Sequence, residues 1–405
     1  MTLDDKQASV KTRPAYGFAP MILRDLRRNS MVVALVIVVA LFSFLTDGTV
    51  VRDANISNLI AQNGYVLILA VGMVMVIIAG HIDLSVGSVA GFVGAAAGVM
   101  IAYWSIPWPI VIVLALAVGG LIGAWQGFWI AYVGVPSFIV TLAGMITFRG
   151  LTLVVLGRNN IGSFPEGYRA LGNGFLTDLA GEYETDPVTV GVFVLAAAVI
   201  ALAAVRSRKR RLRLNGADEP FAWFLTKLVI QLGALLFVGF ALARYKGIPV
   251  ILIIVVLIVI IYTVLTRRTA FGRHVYAIGG NRRAAELSGV KTKRADLLIF
   301  VNMGVLAALA GLVFTARLNL SNPSSGTGFE LEAIAAAFVG GAAIQGGAGT
   351  VGGAVIGGVV IGLLNNGMSI LGLGTEWQQT VKGLVLLAAV GFDFWNKRRL
   401  ARSRA

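Results

Sequence analysis

The chain has 405 residues, of which 57% are hydrophobic and 13% charged, with a mean hydropathy of +0.84. A water-soluble globule carries roughly 25% charged residues, so composition excludes that class and leaves a protein built for lipid. The net charge of +15 sits mostly in short blocks beside apolar runs, without the basic groove and stacking aromatics of nucleic-acid binding, and the absence of cysteine removes disulfide and thiolate chemistry.

The first thirty residues are polar and hold no apolar core, so no cleavable signal peptide is expected. From Met31 onward apolar runs of about 17–25 residues recur, the length that crosses a ~30 Å hydrocarbon core as helix. Their continuity favours helices over a barrel, whose strands would alternate. Spans are expected near 31–46, 64–81, 84–103, 109–132, 137–156, 188–205, 221–243, 248–266, 295–316, 332–345, 350–371 and 377–395. The segment at 332–345 is short enough to be re-entrant, and the pair over 221–266 reads as an insertion. The predicted fold is an all-α polytopic membrane bundle of about twelve transmembrane helices, within a range of ten to twelve.

Orientation follows from charge. Six Lys and Arg precede Met31, six lie in 206–213, eight in 267–294 and five after Trp395. Basic loops stay cytoplasmic, so both termini are expected inside. The domains are then a cytoplasmic tail over 1–30, a transmembrane domain over 31–395 and a basic cytoplasmic tail over 396–405. Within the transmembrane domain, 206–219 and 267–294 are expected to face inward, while 157–187, with Glu166, Asp178, Glu182, Glu184 and Asp186 against two Arg, is expected to face outward.

Glycines recur four apart at Gly87/Gly91, Gly94/Gly98, Gly119/Gly123/Gly127, Gly353/Gly357 and Gly358/Gly362, a spacing that lets helix backbones approach closely. Aligning Ile82 with Ile344 also pairs Gly87 with Gly349 and Gly91 with Gly353, an internal echo of the kind transporters contain. The run 347–352 satisfies G-x-G-x-x-G but lies between two spans, outside the strand–helix setting that fingerprint needs. No Walker sequence occurs, so any ATP is bound by another polypeptide.

Polar residues on or beside spans are candidates for a transport path. Asp83 stands out because a charge at the bilayer centre costs about 2.5–3.5 kcal/mol. It reads either as a cap for a helix starting at Leu84 or as a transport group, with Ser85 two residues on. Trp125, Gln126, Asn302, Asn365 and Asn366 are further path candidates, and Thr141, Gln378, Gln379 and Arg149 are polar or charged as well. These amides either meet a substrate or tie helices together. No metal set is expected from the lone pair His81 and Asp83. The hydrophilic segment 271–294 contains GNRRAAELSG, a short helix bounded by glycines that suits docking of a cytoplasmic partner.

Five segments, GHIDLSVGS, VPSFIVTLAGMITFRG, GRHVYAIGGNRRAAELSGV, SGTGFELEAIAAAFVGG and LNNGMSILGLGTEWQQTVKG, together resemble the permease subunits of bacterial ABC monosaccharide importers. The likeness runs from about residue 50 to 395 and is strongest toward the xylose permeases. His81 departs from the small or acidic residue that relatives carry there. The resemblance implies a homodimeric pore in the lipid of the inner membrane, with no cofactor and no bond chemistry of its own. It implies a cytoplasmic ATPase docking on Gly279, Gly280, Asn281, Ala284, Ala285, Leu287, Ser288 and Gly289. A periplasmic sugar-binding protein would meet the outer segments 157–187 and 317–330. An ion-coupled sugar transporter is the rival reading; it needs ionisable groups in the bundle, of which only Asp83 and Arg149 qualify from the sequence.

Overall fold

The computed structural model describes residues 30–157, 159–176, 184–215 and 220–402. The expected tail before residue 30, Asp178 and Glu182 of the outward segment, the end of the 206–219 segment and the last three residues lie outside them. The chain is helical almost throughout: α1 Ser30–Leu45, α2 Asp53–Ile78, α3 Val86–Ala102, α4 Trp108–Phe128, α5 Ser137–Leu156, α6 Glu166–Asn173, α7 Pro187–Asn215, α8 Phe221–Ala243, α9 Val250–Arg268, α10 Ala270–Gly280, α11 Arg282–Leu287, α12 Thr292–Leu318, α13 Phe329–Val339, α14 Val351–Ile370 and α15 Thr375–Arg402. A π-helical turn, Trp129–Val133, extends α4. A two-residue antiparallel ribbon, β1 Ile161–Gly162 with β2 Leu320–Ser321, ties the segment after α5 to the end of α12.

Eight of these helices, α2, α4, α5, α7, α8, α9, α12 and α14, are long and apolar enough to cross a membrane, and α1 and α3 are shorter apolar helices. This is a multi-pass membrane protein. Twelve full-length crossings are not what the described residues give, and the physical reasons are visible. The span expected at 332–345 is the 11-residue α13, about 16 Å long and half a bilayer core. Basic block 206–213 is not a loop but the continuation of α7, since Arg, Lys and Leu are good helix formers once a span has nucleated the helix. The two helices of 221–266, read as an inserted pair, do not pack as a unit. α7 packs on α8, with Gly239 pressed against the Phe193 ring, and the rest of the bundle covers little of either, whereas α9 enters the core and sets Ile251 against Gly64 of α2.

The glycine spacings do mark seams. An added Cβ at Gly119 would meet the Gly304 carbonyl oxygen at 2.4 Å and one at Gly123 the Phe300 carbonyl oxygen at 2.2 Å, so α4 and α12 touch backbone to backbone. Gly123→Ala should therefore destabilise the bundle by about 1–3 kcal/mol, read as a lowered unfolding temperature in detergent; an unchanged value would mean that the seam is loose. α2 is the central helix, 78% of its spanning window buried against 11% for α7.

One crossing is broken. From Ser321, whose hydroxyl donates to the Gly94 carbonyl, the chain descends beside α3. Gly98 faces Ser321, Gly91 faces the Ser325 carbonyl and Gly87 faces Gly326, a descent of about 16 Å along the helix. Only at Phe329 does α13 begin, and it completes the traverse to Gly340, packed on Gly353 of α14. The irregular stretch satisfies itself locally: Ser325 N–H donates to the Asn322 carbonyl, Thr327 N–H to that of Ser324 and Phe329 N–H to that of Gly326. Gly326 and Gly328 supply the positive φ, 83° and 81°, that these turns require.

Candidate functional site

Polar groups gather in three places. The first is the basic end of the bundle. Thr269 caps α10 by accepting from Gly272 N–H at 3.2 Å. Asn281 leaves the helix in an extended conformation and caps α11, its side-chain oxygen accepting from Ala284 N–H at 3.0 Å. Ala285 anchors α11 in a small cluster with Ile278, Ala295 and Val290. Gly289, at φ +85°, turns the chain toward α12. The short helix expected in GNRRAAELSG is thus present, and its glycines and asparagine do what their local chemistry predicts.

Of the expected docking residues, Gly280, Asn281, Ala284, Leu287, Ser288 and Gly289 are exposed, Leu287 at 84%. Ala285 and Gly279 instead face the bundle. At Gly279 the fit is absolute: an added Cβ would lie 1.6 Å from the Ile78 carbonyl oxygen at the end of α2. That same oxygen accepts from Gly347 N–H at 2.8 Å, so the end of α2, the end of α10 and the loop before α14 meet at one point. Beside this contact sits a cluster the sequence did not reveal. Arg282 donates to Asp296 Oδ2 at 2.7 Å, His81 Nε2 lies 3.2 Å from Asp296 Oδ1, and Arg282 reaches His81 at 3.2 Å. Asp296 is buried, and these are its side-chain partners among the described residues. His81 therefore joins the turn after α2 to α11 and α12.

The second place is that turn. Asp83 is buried and accepts from both the backbone N–H of Ser85 at 2.8 Å and its hydroxyl at 2.7 Å. The α3 helix starts at Val86 with Ser85 at its cap position, so Asp83 forms an Asx turn one step earlier and is not itself the cap. The Ser85 hydroxyl also meets the Gln126 side-chain amide at 2.8 Å. Burial pushes the Asp83 carboxyl up to about 6, against the lowering pull of the Ser85 hydrogen bonds. Of the path candidates, Asp83, Ser85 and Gln126 thus form one closed knot. Asn302 hydrogen-bonds Tyr262 and ties α12 to α9, Asn366 exchanges hydrogen bonds with Asn55 and ties α14 to α2, and Trp125 stands apart, edge-on to Phe148.

The third place is the broken crossing. A cavity of about 450 Å³ opens beside the start of α13, lined by Arg149, Thr327, Glu330, Glu332, Gln379 and Lys382 with apolar Leu331, Ala335 and Leu386. Irregular backbone at membrane depth is tolerated where it lines such a cavity. Glu332 accepts from Tyr65 at 2.9 Å, from Asn365 at 3.1 Å and from Lys382 at 2.9 Å, joining α2, α14 and α15 to α13. Arg149 donates to the Thr327 hydroxyl at 2.8 Å. Glu330 is buried, and its Oε2, lying over Gly87, meets no hydrogen-bond partner among the described residues.

The sequence reading named Asn365, Arg149 and Gln379 but missed Glu330, Glu332 and Lys382. The signal available was two acids spaced by one residue, just after Gly-Thr-Gly-Phe, within otherwise apolar sequence. The two segments expected to face outward are also less free than that reading implied. Asp186 is buried and caps α7, accepting from Val188 and Thr189, and in 317–330 only Leu318, Ser324 and Thr327 are exposed. Among the described residues, no three His, Asp or Glu side chains converge as metal ligands.

A family model for the permease component of branched-chain amino acid transport systems matches residues 55–390. The xylose transport system permease protein XylH of Haemophilus influenzae is 41% identical over 371 residues, covering 91% of this chain and 96% of the relative. XylH of Escherichia coli is 38% identical over 390 residues, 95% of each, and the ribose import permease RbsC of Escherichia coli is 31% identical over 374 residues, 92% of this chain and 95% of the relative. No solved structure matches the chain. With a glycine-seamed helical bundle, one broken crossing and relatives matched nearly end to end, the chain belongs to this permease family, in the branch of bacterial ABC sugar importers that holds the xylose and ribose permeases.

Proposed function

We propose that this chain is the D-xylose-translocating permease subunit of an importer in the bacterial inner membrane, with both termini inside. It works as a homodimer, a separate ATPase docks on α10 and α11, and a periplasmic sugar-binding protein delivers substrate to the opposite end. The basic blocks support the orientation through the positive-inside rule. The similarity to two xylose permeases supports the substrate. The observation that carries the docking role is Leu287, an apolar side chain 84% exposed on a helix whose opposite side is pinned by Ala285 and Arg282.

Coupling then follows from linkage. The ATPase shifts the permease only by the difference in docking free energy between its nucleotide states. Force on Leu287 reaches the end of α2 through the Gly279–Ile78 contact and through Arg282, Asp296 and His81. Leu287→Asp should abolish co-purification of the ATPase and ATP-driven uptake while leaving the unfolding temperature of the permease unchanged, because the residue touches little of its own chain. Normal co-purification with this variant would remove the docking assignment.

The ion-coupled rival gains buried carboxylates that the sequence did not name, Glu330, Glu332 and Asp296. Family membership outweighs them. Uptake that requires ATP and survives a protonophore excludes the rival.

A further inference from the structure

We propose that the cavity at the broken crossing is a binding site for a neutral monosaccharide in transit, with Arg149 and Glu330 as its recognition residues. The proposal rests on the reading of this chain as a sugar permease and deepens it by placing the sugar on named atoms. Four features carry it. The volume of about 450 Å³ falls within the roughly 300–1,000 Å³ of small-molecule sites. The charges lining it balance, Arg149 and Lys382 against Glu330 and Glu332, which suits an uncharged solute over an ion. Glu332 and Lys382 satisfy one another, leaving Arg149, whose hydrogen bond among the described residues goes to Thr327, with guanidinium donors to spare, and Glu330 as a second carboxylate on the wall. A guanidinium fork donates two parallel hydrogen bonds and a carboxylate accepts from hydroxyls, the complement of neighbouring sugar hydroxyls, while Leu331 and Leu386 offer apolar surface to the C–H face.

The lack of native cysteine makes the test direct. Thr327→Cys and, separately, Gln379→Cys place a thiol on the cavity wall, and Ser324→Cys places one on an exposed residue outside it. The full-length permease in proteoliposomes is labelled with a small methanethiosulfonate reagent, with and without D-xylose or D-ribose. At a sugar concentration about ten times the dissociation constant, labelling at the cavity positions should slow about tenfold, and labelling at the control should not change. Protection should be lost when Arg149→Gln or Glu330→Gln is added; Arg149 is exposed, so that variant keeps the test open if the other misfolds. Protection by ribose but not xylose keeps the site and overturns xylose as the substrate. No protection by either sugar, while the complete transporter still accumulates xylose with ATP, overturns the site alone. Failure of the complete transporter to accumulate any monosaccharide overturns the function on which the site rests.

Discussion

Gly279→Val is expected to abolish ATP-driven sugar uptake. A Cβ at this position would sit 1.6 Å from the Ile78 carbonyl oxygen and 2.5 Å from the Gly347 backbone nitrogen. Both are backbone atoms, so no side chain can rotate away, and α10 must lift from the end of α2. Overpacking of this severity costs about 3 kcal/mol or more, about a 100-fold loss in the correctly seated population. The damage lies inside the permease and not on its docking surface. The ATPase should therefore still bind through Leu287, and hydrolysis should continue while uptake stops. Co-purification, ATP hydrolysis and uptake measured on one preparation separate this outcome from that of Leu287→Asp. A Gly279→Val permease that transports normally would show that α2 and α10 are not held together as described.

Glu332→Ala carries the second large effect. Its carboxylate receives three donors, and its partner Lys382 is mostly buried beside it. Removing one member of a buried pair leaves an uncompensated charge and costs about 3–5 kcal/mol. The unfolding temperature in detergent should fall clearly. Glu332→Leu combined with Lys382→Met should recover most of the loss, because replacing both members by apolar residues of similar size is close to neutral. A single Glu332→Ala variant as stable as the parent would mean that the four helices are not joined there.

The contrast between these two sites shows what was legible. The short helix α11 could be read because its determinants are local: Asn281 caps three residues ahead, and Gly289 ends the turn two residues past Leu287. The glycine seams could be read because spacing along one helix fixes a face. The Glu332 clamp could not, since its donors Tyr65 and Lys382 lie 267 and 50 residues away. His81 looked like an isolated departure for the same reason, its partner Asp296 being on α12. Polar residues that looked alike in sequence also parted company: Asn366 and Asn302 spend their amides on neighbouring helices, and only Asn365 reaches the cavity wall through Glu332.

By itself the sequence determined that the chain lives in lipid as a helical bundle, and which family it resembles. Hydropathy, charge blocks and motif order are sums over neighbouring residues and need no partner. Only the tertiary structure decided that one crossing is broken beside α3, that α7 and α8 form the outlying pair, and that four charges meet in a cavity at the break. Those facts depend on which helices lie side by side, and a charged side chain inside a bundle acquires its meaning from the opposite charge that another helix brings within reach.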